Sequence, residues 1–406
     1  MANNSAMGTE RRRLRGDLGL LFLVLLSLLA SACERRTANF SQHPGFREWY
    51  LANPPAETAA SVAERALLER YRPRLYLPAG AEGPISFYDD YIAQGALYDH
   101  AERAIAHLVT RAILNSHKSD RRVVFVHRPT GAPARPVAHA RIDRETLQGG
   151  ADGTPTPLTF LTYHFVFRAS GLPAGLAPWQ RVLVGLIADP SDWHQLDHYT
   201  AVTIVLMPAG GRLEPVAAIM QQHNYLRTYL FGPAAAPGRL SLSPDARLPI
   251  DAAIWSNELY PHLPGRQVRR AVRYLDPDTA RYLATGRDRP FMSADDVTEP
   301  QREIEYSLEY LPPSDAFYVF QGWLGERRSL PGRDGPPGAD YNTSPRHKAR
   351  ATQLALFRWT DGDDEFAARL SRASEPATES LALGIEVDRL RRDLACARPI
   401  VAACGP

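Results

Sequence analysis

The stretch from Tyr199 to Tyr229 constrains the fold more than any other part of this chain. Tyr199–Met207 is rich in Val, Thr and Ile, and Pro208-Ala209-Gly210-Gly211 separates it from a second apolar run, Pro215–Gln221. β-Branched runs joined through Gly-Gly read as a hairpin, because glycine supplies the positive φ that a tight turn between twisted strands needs. Asn224–Phe231 offers a third strand directly afterwards. A sheet is therefore expected at the centre of the chain.

Further strands are expected at Arg74–Leu77, closed by Pro78, at Arg122–His127 and at Leu158–Arg168. Ile304–Leu311 and Phe317–Trp323 suggest another hairpin across Pro312-Pro313-Ser314-Asp315. Helical spacing marks residues 60–73 (Val62, Ala66, Leu67, Tyr71), ended by Pro73, and residues 101–115 (Ile105, Leu108, Val109, Ile113). Helices are also expected at 179–187, 363–373 and 377–395. The fold class is α+β, with a β-rich centre and helices near the N-terminal side and at the C-terminus.

The first residues carry the signs of export. Arg11-Arg12-Arg13-Leu14-Arg15 precedes an apolar run from Leu18 to Ala30. That run is shorter than the about 20 residues a membrane-spanning helix requires. Ala30-Ser31-Ala32 then leads into Cys33, the form of a lipoprotein signal peptide, although Ala30 stands where the usual motif has Leu. The reading is cleavage before Cys33 and lipid on its thiol, with plain secretion or an uncleaved anchor as alternatives. The partners this implies are a membrane, reached through the lipid on Cys33, and the cell envelope as location. Cys396 and Cys404 remain as an even pair, expected to form a disulfide in an oxidising compartment.

The expected organisation is a signal peptide over 1–32, a lipid-anchored tether over 33–60, a β-rich domain over 61–330, a Gly/Pro-rich loop over 331–346 and a mostly helical segment over 347–406. Charge argues against a nucleic-acid partner. The chain has 47 basic and 45 acidic residues, and removing the four Arg, one Glu and one Asp of the first 33 leaves 43 of each. No surplus of positive charge remains for a phosphate backbone.

Chemistry concentrates in Asp192-Trp193-His194-Gln195-Leu196-Asp197-His198-Tyr199, where a loop enters the first strand of the expected hairpin. His194 and His198 are four apart, so a helical turn would place both on one face. His223, after the second strand, returns to the same end of the hairpin. Three readings stay open: a divalent-metal site using Asp192, His194, Asp197, His198 and His223; a metal-free polar pocket; or a structural network at a strand entrance. No cofactor is implied beyond such a metal. Ser170-Gly171 and Ser256 lack the G-x-S-x-G elbow of a serine hydrolase. Glu303, Glu305 and Glu309 alternate with apolar residues, as on a solvated strand face.

The segments Asp197-His198-Tyr199-Thr200-Ala201-Val202-Thr203, Glu214-Pro215-Val216-Ala217-Ala218 and Gln222-His223 resemble the vacuolar protein sorting-associated protein sixty-two family. Tyr71–Leu77 and Ala253–Tyr260 add to the likeness, which covers about residues 70–265 in patches. The resemblance implies a β-sandwich core for the 61–330 domain. It also suggests a distant likeness to necrosis-inducing proteins, whose related loop holds a divalent cation. This chain has His198-Tyr199 where the family has Trp-Glu, and Asn257 where the family has its second histidine. Asp197 and His223 carry over directly. The binding residues so expected are Trp193, Asp197, His198, Tyr199, His223 and Asn257. The functional expectation is a lipid-anchored cell-envelope protein with a polar ligand pocket, and the alternatives are a metal-dependent hydrolase and a structural envelope component.

Overall fold

The computed structural model describes residues 60–127, 135–147, 156–168, 200–222, 225–231, 240, 242–243, 245–253, 257–262 and 301–324. The signal peptide, tether, 179–187 helix, Gly/Pro-rich loop, C-terminal segment and all three cysteines lie outside these residues. The described part is strand-rich, with mixed sheets and few helices. No helix among the described residues is long and apolar enough to cross a membrane.

The expected hairpin is present. Strands β7 (Ala201–Ala209) and β8 (Arg212–Gln222) pair antiparallel, with Val202 opposite Met220 and Ala209 opposite Arg212. Gly210 and Gly211 at its turn have φ of 56° and 78°, the left-handed backbone that glycine adopts without strain. The ladder slips between Val205 and Leu206, where Pro215 enters β8. Proline cannot donate to a ladder, so an interior strand accepts it at such a bulge. The third strand, β9 (Tyr225–Leu230), pairs with β8.

On the other side of β7 lie β6 (Thr156–Phe165) and then β5 (Val137–Leu147), whose outer edge pairs in parallel with β13 (Ser307–Tyr310). The six-stranded sheet has the order β13-β5-β6-β7-β8-β9. A four-stranded sheet has the order β11 (Leu259–Pro261), β10 (Pro249–Ala252), β1 (Arg74–Pro78), β12 (Gln301–Ile304). Another is built from β14 (Trp323–Leu324), β4 (Val124–His127), β2 (Gly95–Tyr98) and β3 (Ala104–Ala106).

Among the described residues two large apolar clusters hold these sheets. Alternate residues Leu75, Leu77, Ile250, Ala252 and Leu259 join Ala138, Ala140, Leu161, Tyr163, Val202, Ile204 and Met220 in the larger one. Each fully buried Leu or Ile adds about 2 kcal/mol. Helix α1 (Val62–Arg70), opened by a Ser61–Glu64 capping box, lays Leu68 and Tyr71 into the same cluster. Val62, expected on its apolar face, is exposed. The smaller cluster gathers Phe87 and Tyr91 of a π-turn with Phe125, Phe317 and Phe320.

Two expectations are corrected. Residues 101–115 are not one helix: β3 is followed by a short helix, α2 (Arg111–Ser116), which begins where the Thr110 hydroxyl accepts the Ile113 N–H. The apolar spacing misled because Leu108 is exposed and belongs to no buried face. Ile304–Leu311 and Phe317–Trp323 do not form a hairpin. β12 and β13 lie in different sheets, and Ala316–Val319 is a helical turn, α3, capped by Asp315. The Asp315 carboxylate accepts the Phe317 N–H, which offers that backbone a partner outside any ladder.

Candidate functional site: a buried polar face of the six-stranded sheet

Strand β5 alternates apolar and polar residues, and the alternation sorts them onto opposite faces of the sheet. Ala138 and Ala140 enter the larger core, while His139, Arg141 and Asp143 point the other way. Such a pattern ordinarily gives one wet face. Here the polar face is buried too: His139, Arg141 and Asp143 are 0 %, 3 % and 7 % exposed. The neighbouring strands continue it. His164 stands opposite His139, and Thr162 opposite both Arg141 and Thr203. The two threonine hydroxyls are 2.9 Å apart and hydrogen-bonded.

The smaller apolar cluster supplies what touches this face. His139 lies 4.7 Å from the Phe317 ring, and His164 meets Phe317 and Tyr318 edge-on at 5.4 and 5.2 Å. The Arg141 guanidinium sits 4.4 Å above the Tyr318 ring and places Nε 3.0 Å from Asp143 Oδ2. Burial, offset in part by Arg141, pushes the Tyr318 hydroxyl well above its ordinary range, so it stays neutral.

His139 has a defined tautomer. Its Nε2 accepts the Phe87 N–H at 3.0 Å, so the ring proton resides on Nδ1, 3.0 Å from Glu309 Oε2. Burial pushes the Glu309 carboxyl up, but the adjacent imidazole and the Arg111 charge outweigh it and leave the carboxyl below its usual value. Arg111 reaches on to Asp315, with Nη2 and Nε at 2.7 and 2.8 Å from Oδ2. The Tyr88 hydroxyl donates to Oδ1 of the same carboxylate. Glu309 is therefore only partly exposed, at 32 % of its side chain. It belongs to a chain of polar contacts from the interior to Arg111, while Glu303 sits in another sheet, paired with Arg74.

The residues expected from sequence fall mostly outside the described part: Asp192, Trp193, His194, Asp197, His198, Tyr199 and His223. The strands they adjoin are described. The Thr200 carbonyl accepts the Phe165 N–H, and the Val202–Met220 pair puts the start of β7 and the end of β8 at one end of the sheet. His139, His164 and Ala201 form a row at that same end. Asn257 lies in the β10–β11 turn, buried, with φ of 56° and its N–H donated to the Ala253 carbonyl.

Sequence reading missed His139, Arg141, Asp143 and His164. The signal was the strict alternation from Ala138 to Asp143. Among the described residues no group of three His, Cys, Asp or Glu side chains is arranged to hold a metal ion. The array can instead donate and accept hydrogen bonds and offer a fixed cation beside a fixed anion.

No family model and no curated protein matches the chain. Among solved structures it is similar to Necrosis and Ethylene inducing Protein 2 from the causal agent of cocoa's Witches Broom disease, at 15 % identity. That similarity covers 52 % of this chain and 73 % of the other, with a TM-score of 0.24.

Proposed function

We propose that the protein is a lipid-anchored component of the cell envelope whose β-sandwich binds a polar ligand at the strand end shared by β7 and β8. The observation that supports this reading is the buried row of His139 and His164 with the Arg141–Asp143 pair beside it. Burying an ion pair costs several kcal/mol per ion before any return, and aliphatic residues of similar volume would stabilise a sheet better. Buried charges of this kind collect where a protein binds or reacts. The start of β7 and the end of β8 lie at the same end of the sheet as this row.

The test is native mass spectrometry of the full chain extracted from an envelope fraction. Wild type should carry a small-molecule adduct that the Arg141→Met/Asp143→Leu double variant loses while keeping its melting temperature. A wild type without any adduct, or a variant that retains it, overturns the reading.

A further inference from the structure

The outer face of the β11-β10-β1-β12 sheet carries a second arrangement, independent of the polar face above. In β10, Ile250 and Ala252 enter the larger core and Asp251 lies on the opposite face, itself only 4 % exposed. Asp251 is level with Tyr76 on one neighbour and Tyr260 on the other, and Tyr76 is level with Glu303. His262 follows Tyr260 by two positions, on the same side of the strand, and its N–H is held by the Pro249 carbonyl at 3.1 Å. Its Nδ1 lies 2.7 Å from Asp251 Oδ1, and its ring stacks on Tyr76 at 3.9 Å and 7°.

We propose that Asp251 and His262 form a general-base dyad that activates water against a carboxylic ester on this face. A carboxylate only accepts, so the Asp251 contact fixes the proton on Nδ1 and leaves the Nε2 lone pair free to take one. Nε2 makes no hydrogen bond among the described residues and is not an enclosed orphan, whereas the Asp251 side chain is 5 % exposed. A buried carboxylate behind an imidazole that keeps 14 % of its side chain exposed is the order in which such a base is oriented. The stack on Tyr76 holds the ring plane. Tyr76 is itself tied down, donating to Glu303, which Arg74 grips through two nitrogens. Among the described residues Arg74, Glu303, Asp245 and Arg247 also carry charge around this face, and the Tyr260 hydroxyl is bonded to Glu258.

In the reaction, water gives its proton to His262 Nε2 as its oxygen attacks the ester carbonyl carbon. The tetrahedral oxyanion collapses with cleavage of the C–O bond, and the departing alkoxide takes the proton back from Nε2. The products are an acid and an alcohol, and the imidazole is regenerated. His262 is the catalytic residue and Asp251 a positioning residue.

The experiment follows p-nitrophenyl acetate hydrolysis by the full chain in detergent micelles, with the urea-unfolded chain as the background for ordinary histidines. Wild type should exceed that background, show a solvent deuterium isotope effect well above unity, and keep its rate in His107→Asn, an exposed histidine elsewhere. His262→Asn should fall roughly a hundredfold or more, to background. Asp251→Asn should lower kcat and displace the pH–rate profile, and Asp251→Glu should restore part of both. Melting curves on each variant separate loss of chemistry from loss of fold. A wild type at background, an unchanged His262→Asn rate, or an isotope effect near one with acetylated His262 overturns the proposal.

Discussion

His139 and His164 face each other across the β5–β6 ladder, both shut away from solvent, and between them they touch Phe87, Phe317 and Tyr318. This pair joins the six-stranded sheet to the smaller apolar cluster, and the polar contacts around it invite quantitative tests.

Asp315 is the most heavily used carboxylate in that region. It caps α3, accepts from Tyr88 and pairs with Arg111. Asp315→Ala should cost about 3 kcal/mol, because a buried hydroxyl and a guanidinium lose their partner together. Urea denaturation measures it, and Asp315→Asn should recover part of the loss.

His127 predicts a pH dependence. Burial, and secondarily the charge of Arg168, pulls its imidazole from 6.5 down to about 4. Its ring lies 4.3 Å from Tyr91, and Nε2 is buried without a hydrogen-bond partner among the described residues. The folded state binds the proton more weakly than the unfolded chain. Its contribution is therefore complete above pH 6.5 and declines as pH falls toward about 4. The loss should reach about 3 kcal/mol, and His127→Phe should flatten the stability curve over that window.

Gly95 admits no side chain. A Cβ there would stand 2.2 Å from the Phe125 ring and 2.5 Å from the Val126 carbonyl. Gly95→Ala should cost about 2–3 kcal/mol by forcing β2 from β4. Gly210→Ala meets nothing within 4 Å, so its cost should be only the about 1 kcal/mol of left-handed backbone. Thermal melts of the two variants test this ordering.

The proposed lipid anchor makes a prediction of its own. Cys33→Ser should move the protein from the detergent phase to the aqueous phase of a Triton X-114 partition. Labelled palmitate should appear on wild type alone.

Metal dependence is expected to be slight. Tyr199 and Asn257 occupy the positions that the family resemblance would fill with carboxylate and imidazole, and both are poor ligands near neutral pH. Purified protein should hold well under one equivalent of transition metal, and chelation should leave its melting temperature nearly unchanged. Elemental analysis and a melt in EDTA check both.

What the sequence determined by itself was local. The β7–β8 hairpin was legible because Gly210-Gly211 and the β-branched runs carry their conformational preference within a few residues. Strands β1, β4, β6 and β9 were legible for the same reason. The tertiary structure decided which partner each strand takes, since pairing depends on residues far apart in the chain. It therefore separated Ile304 from Ser307 into two sheets and turned Ala316–Val319 into a capped helical turn. It also decided the environment of the polar side of β5. Alternation shows that His139, Arg141 and Asp143 share a face, but whether that face meets water or Phe317 and Tyr318 depends on packing. The same holds for Asp251 and His262, eleven residues apart, whose contact exists because β10 and β11 pair antiparallel.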